Sequence, residues 1–151
     1  MQKSNRKLVL AAGTAAVVLA AGCGSTGEPA AEPAELSSFT SAQELLAAVN
    51  GLHGCDAGTS AEPVLMAFEE ISTPEYAMCT DTLQVIRFAS AEDRLTVTGM
   101  LAQGTENGPA GIAEGSNWYV LPLLRGPVPS EEDMRDLAYE LGGRYLELPA
   151  G

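Results

Sequence analysis

The sequence predicts an α+β domain: a small sheet of about four strands and about three helices, in a two-layer sandwich. Two observations carry this. Three serines, Ser41, Ser90 and Ser130, each stand ahead of an acidic residue and an apolar run, the pattern of a hydroxyl-capped helix start. Between and after these helices lie short runs that alternate or are continuously apolar, bounded by Gly, Pro and Asp, the pattern of strands. Helices separated by pairs of strands bury their apolar stripes against one sheet.

The first helix starts at Ser41-Ala42-Gln43-Glu44, which reads as a capping box. Ala42, Leu45, Leu46 and Val49 fall at helical spacing, Gly51 is placed to end the helix, and Phe39 packs down ahead of it. His53 to Pro63 is polar and turn-rich. Val64 to Phe68 reads as a strand or a buried short segment, and Tyr76 to Thr80 as a second strand. After a tight turn at Asp81-Thr82, Leu83 to Phe88 is the clearest strand. Leu83, Val85 and Arg87 share one side and Gln84, Ile86 and Phe88 the other, so a central position is expected.

Residues 91–103 are read as the second helix, capped by Ser90 and ended by Gly104. Leu95-Thr96-Val97-Thr98 alternates like a strand and Gly99 weakens a helix, so a strand is the competing reading. The cap and the polar loop that follows favour the helix. Thr105 to Ser116 is read as a glycine-rich loop. Asn117 to Leu121 reads as a strand, with Pro122 pointing to an edge. The unit from Leu83 to Leu121 would then be a right-handed crossover between parallel strands. The third helix follows Ser130-Glu131-Glu132-Asp133, buries Met134, Leu137, Ala138 and Leu141, and ends at Gly142-Gly143. Tyr145 to Leu148 alternates as a last short strand.

The N-terminus has another composition. Lys3, Arg6 and Lys7 precede an apolar run from Leu8 to Ala21, about 14 residues, where a membrane-spanning helix needs roughly 20. The run closes on Leu19-Ala20-Ala21-Gly22-Cys23. This stretch resembles the lipobox of bacterial lipoproteins, although Ala20 stands where the family more often has Leu, Val or Ile. The resemblance implies that Cys23 is acylated and that residues 1–22 are removed as a signal peptide. An ordinary secretory signal, leaving a free cysteine, is the alternative. Residues 23–38 form a Gly-, Pro- and Glu-rich tether that, at about 3.1 Å per residue, reaches roughly 45 Å at most. Residues 39–151 form the single globular domain. The expected location is the extracytoplasmic face of the cell membrane, with the lipid bilayer as partner through Cys23.

Charge narrows the partners. The 151-residue chain carries a net charge of −12, and loss of the three basic residues of the leader takes it to −15. So acidic a surface lacks the basic patch that nucleic acid requires, and it repels anionic head groups. In an exported chain, an oxidising compartment favours a disulfide between Cys55 and Cys79. A loop of about 25 residues closed in this way gains roughly 3.5 kcal/mol. A metal site using His53, Cys55 and Cys79 is the competing reading.

A weaker resemblance covers the domain. Phe39 to Leu45, the two cysteines, Phe88-Ala-Ser-Ala, Gly115-Ser-Asn-Trp118 and Leu141-Gly-Gly look like small secreted actinobacterial proteins with two cysteines and no assigned activity. It implies no catalytic residue. No phosphate-binding glycine loop, nucleophile elbow or His-Glu-x-x-His motif is present, and no cofactor is expected. The expected role is a binding or interaction module for an envelope protein or small ligand, with Trp118 either a partner contact or a core residue. The alternative is a small hydrolase using His53 or paired carboxylates.

Overall fold

A computed structural model describes residues 35–66, 69–103 and 108–149. Among them the order is α1 (Ala42–His53), β1 (Glu75–Thr80), β2 (Leu83–Arg87), α2 (Ala91–Leu101), β3 (Gly111–Glu114), β4 (Trp118–Pro122), α3 (Glu131–Glu140) and β5 (Arg144–Glu147). The leader, Cys23 and most of the predicted tether lie outside the described residues.

The serines start the helices as their chemistry predicts. Ser41, Ser90 and Ser130 are all extended, and each side chain accepts from the backbone N–H three residues on. Ser130 and Asp133 form a reciprocal capping box. At α1 the second half of the box differs: the Glu44 carboxylate accepts from the Thr40 N–H and hydroxyl, one residue further back. That helix also runs past Gly51. It ends at Gly54, whose φ of 79° suits a residue without Cβ.

The five strands form one antiparallel sheet in the order β1-β2-β4-β3-β5. The α+β architecture is as expected, with one strand more than predicted. Period-2 alternation sorts the side chains to two faces. Leu83 and Val85 of β2, Trp118 and Val120 of β4, and Ala77 and Cys79 of β1 meet α1 and α3. Ile86, Tyr119, Leu121 and Ile112 face the other way, where Val97 of α2 and the partly buried Met66 and Ile71 cover them. The helix layer is therefore α1 with α3, and α2 lies across the sheet from them.

Three local readings are corrected. Val64–Met66 is not a strand, and residues 67 and 68 lie outside the described residues. Side chains take the place of a ladder there. Gln84 bonds both backbone groups of Val64, and the Tyr76 hydroxyl bonds both those of Met66. The glycine-rich loop contains β3. The strand opens on a glycine for a steric reason: the Tyr145 ring occupies the space a Cβ on Gly111 would take. Its insertion makes β2 and β4 antiparallel neighbours, with Leu83 opposite Pro122; the strand that runs parallel to β2 after α2 is β3, and β4 lies between them. β4 is thus an interior strand, and Pro122, lacking an N–H, sits at its end.

The predicted tether also ends earlier than expected. Ser37 donates its N–H to Gly142 O, accepts from Ser116 N–H, and donates its hydroxyl to Leu141 O at 2.6 Å. Leu36 to Thr40 thus form a strap belonging to the fold.

Gly143 lies where a Cβ would strike the Glu114 carbonyl and the Trp118 ring. A backbone carbonyl in a strand cannot swing aside. Gly143→Ala is expected to destabilise the domain by about 2–3 kcal/mol, read as a lower urea midpoint with an unchanged slope.

Candidate binding groove and the buried ion network

A groove runs along the outer edge of β1. Its making begins with the end of α1. The backbone reverses at Gly54, and the Cys55 N–H donates to Asn50 Oδ1 at 2.7 Å. Cys55 is disulfide-bonded to Cys79 of β1, so the expected pairing is formed. The Asp56 N–H then donates to Cys79 O at 2.8 Å, crossing the edge of the sheet. Asp56 Oδ1 accepts from the Gly58 N–H, and the Thr59 hydroxyl bonds the Asp81 carboxylate. This loop and the flank of α1 enclose about 420 Å³. Leu46, Ala47 and Met78 supply apolar lining, and Gln43, Asn50, Asp56 and Thr59 supply polar groups. Apolar walls with a few fixed polar groups are the usual make-up of a ligand site.

His53 is exposed and lies elsewhere. It shares a groove of about 160 Å³ with Leu52 of α1 and with Asp133, Asp136, Leu137 and Glu140 of α3. The structure therefore does bring His53 to carboxylates. Hydrogen bonds from Ser130 hold the Asp133 carboxyl below its usual range, with a small further contribution from His53. An ionised, exposed carboxylate is a poor general acid near neutral pH, and no serine or free cysteine lines this groove. The metal set considered from the sequence is also altered: both its sulfurs are joined to each other and cannot act as thiolate ligands.

Trp118 is corrected as a partner contact. It has no exposed surface. Its indole N–H donates to Ser37 O at 3.0 Å and to Ser37 Oγ at 3.2 Å, and Phe39 meets its ring edge-on at 5.7 Å. It is a core residue, the other of the two roles weighed for it.

A charged cluster that the sequence did not signal sits inside the sheet's α2 side. Glu114 of β3 is fully buried between two arginines. Arg94 NH1 of α2 reaches its Oε2 at 2.6 Å, and Arg144 of β5 reaches Oε1 at 2.7 Å. Arg94 also donates to Ser116 O and Thr98 Oγ1. The Tyr119 hydroxyl completes the group, donating to Arg94 O and bonding the Thr98 hydroxyl. Among the described residues no buried side-chain nitrogen or oxygen lacks a partner. A lone Glu in a glycine-rich stretch reads as solvated, so only the unexpected strand places it inside. Glu114 and Arg94 are closed to solvent, Arg144 alone reaches it, and the network reads as the link between α2 and the sheet.

Compared with protein-family models, curated proteins and solved structures, the chain has no match.

Two outcomes follow from the network. Glu114→Gln leaves Arg94 buried without a counter-charge and is expected to cost about 3–5 kcal/mol, measured by denaturant unfolding. Burial pushes the Tyr119 phenol up from 10.0 to about 12. Its folded pKa is above the unfolded one, so its contribution is complete below pH 10 and lost as pH rises towards 12. Stability is expected to fall across that window. A Tyr119→Phe variant should fall less steeply, with phenolate absorbance as the second readout.

Proposed function

We propose that the chain is a lipid-anchored lipoprotein of the extracytoplasmic membrane face, and that its domain is an interaction module. The Cys55–Cys79 disulfide carries this reading. It suits an exported chain, and it leaves Cys23, at the end of the apolar leader segment, as the one cysteine of the sequence outside the pair. Two acyl chains on such a cysteine would hold firmly where one holds only marginally. Among the described residues no helix is long and apolar enough to cross a membrane.

The binding surface in this proposal is the β1-edge groove. β1 is an outer strand; Asp56 caps its edge at Cys79, and the rest of that edge lies beside an apolar wall, the arrangement by which a sheet edge takes up an extended peptide. An extended segment of an envelope protein is the proposed ligand. The competing hydrolase has one observation in its favour, the groove joining His53 to Asp133, Asp136 and Glu140. Its exposure to water and lack of a nucleophile weigh against it.

Two measurements test the proposal. Cys23→Ala is expected to move the protein from the membrane to the soluble fraction; continued membrane association would refute the anchor. Ala47→Arg places a long cation in the groove from an exposed helix position. Cross-linking in the native envelope should recover a partner with the parent chain and lose it with Ala47→Arg, while the far-UV spectrum stays unchanged. A partner retained by the variant would refute the groove.

A further inference from the structure

The disulfide has an inner and an outer sulfur. Cys79 lies in the core beneath α1 with no exposed surface. Cys55 is half-buried and lines the β1-edge groove. Thiol–disulfide exchange needs a thiolate to approach one sulfur in line with the bond and expel the other. An attacker can reach Cys55, whereas Cys79 is closed off by the helix layer. The asymmetry fixes which sulfur exchanges and which one leaves.

We propose that Cys55 is a thiol-exchange site served by a dithiol partner of the Cys-x-x-Cys class. The partner's thiolate attacks Cys55 Sγ from the groove. The Cys55–Cys79 bond breaks, its electron pair leaves on the Cys79 sulfur, and that sulfur takes up a proton. The Gly54 carbonyl, 4.0 Å from Cys79 Sγ, is placed to accept from the new S–H. The partner's second thiol then attacks its own sulfur in the mixed disulfide, closing the partner's disulfide and releasing Cys55 as a thiol. Two electrons pass from the dithiol to this protein; run backwards, the same path installs the bond.

Reduction acts on the groove more than on the core. Without the bond, the loop from Cys55 to Thr59 is held only by the Asn50, Cys79 and Asp81 hydrogen bonds, which are weak at an exposed edge. The apolar cluster between the sheet and the helices α1 and α3 keeps its other members. Oxidation closes one wall of the groove and reduction frees it. The exchange itself rests on the burial of the two sulfurs, whether or not the groove holds a ligand.

The test uses the full chain carrying Cys23→Ser, so that only two sulfurs count. Exposed to reduced glutathione under native conditions and quenched with acid, the intact disulfide should yield a mixed disulfide mapped to Cys55. Glutathione mapped to Cys79 would overturn the proposal. Adding Cys79→Ala or Cys55→Ala leaves one thiol each. The Cys55 thiol should react with an aromatic disulfide reagent about 100-fold faster than the Cys79 thiol, a gap that closes in denaturant. Equal native rates, with unchanged far-UV spectra, would overturn it. Full reduction should speed proteolytic cleavage between residues 54 and 62 while Trp118 emission keeps its buried position. A red-shifted emission would overturn the confinement to the groove.

Discussion

The indole of Trp118 has one polar atom, and the structure around it is arranged to satisfy that atom without opening the core. A buried N–H left unpaired costs on the order of 1–3 kcal/mol. The partner is Ser37, 81 positions away in the chain, and Ser37 is itself bonded to Gly142, Leu141 and Ser116. Glycines let the ring in. At Gly115 and Gly143 a Cβ would strike the indole. One ring thus fixes where the strap, the β3–β4 turn and the end of α3 meet, and from there α1 follows directly at Ser41.

That constraint explains what could and could not be read from the chain. Capped helices are local: Ser130 and Asp133 are three residues apart, and their bond needs nothing from elsewhere. The alternation of β2 is local too: Leu83 and Val85 pack on one face and Ile86 and Phe88 on the other, as the period of two predicts. The disulfide was legible because few cysteines leave few pairings. The missing strand and the misplaced edge were not local. Gly111-Ile112-Ala113-Glu114 has only one large apolar residue; its place in the sheet depends on pairing with the distant β4 and β5, and Tyr145 of β5 fills the space beside Gly111. The strap was equally hidden, since nothing near Ser37 announces a tryptophan 81 positions away. The β1-edge groove depends on a loop returning to a strand, and its lining residues, such as Gln43 and Ala47, would each pass for ordinary helix surface.

Glu114 shows the same dependence from the electrostatic side. A carboxylate buried in a sheet is tolerable only with charge-assisted partners, and it has one arginine from α2 and one from β5. Packing alone would hold α2 poorly, because its buried residues are just Arg94 and Val97. The ion network and the Tyr119 hydroxyl supply the directional contacts that its sparse apolar face does not. The exposed side of Arg144 keeps that end of the network near water. A helix held by polar contacts is also held in one position, since those contacts have narrow geometry.

Extending this to every positive charge shows what kind of surface remains. Five arginines, Arg87, Arg94, Arg125, Arg135 and Arg144, are the only basic residues beyond Cys23 apart from His53. Arg87 pairs with Glu75, Arg94 and Arg144 share Glu114, and Arg135 joins Glu131 to Glu147. Arg125 donates to the Glu62 carbonyl. The cations are directed to the chain's own acceptors, and the field outside is acidic. Such a field keeps the domain away from anionic head groups, so in the proposed lipoprotein membrane attachment would fall to the acyl anchor alone. It also gives no long-range attraction to an acidic partner. Recognition at the β1 edge would then depend on close-range terms, backbone hydrogen bonds and the apolar wall of Leu46, Ala47 and Met78, which act only after contact. Those terms depend on the position of the loop beside them, and the loop is fixed to the strand by the one covalent bond in the domain that chemistry can reverse.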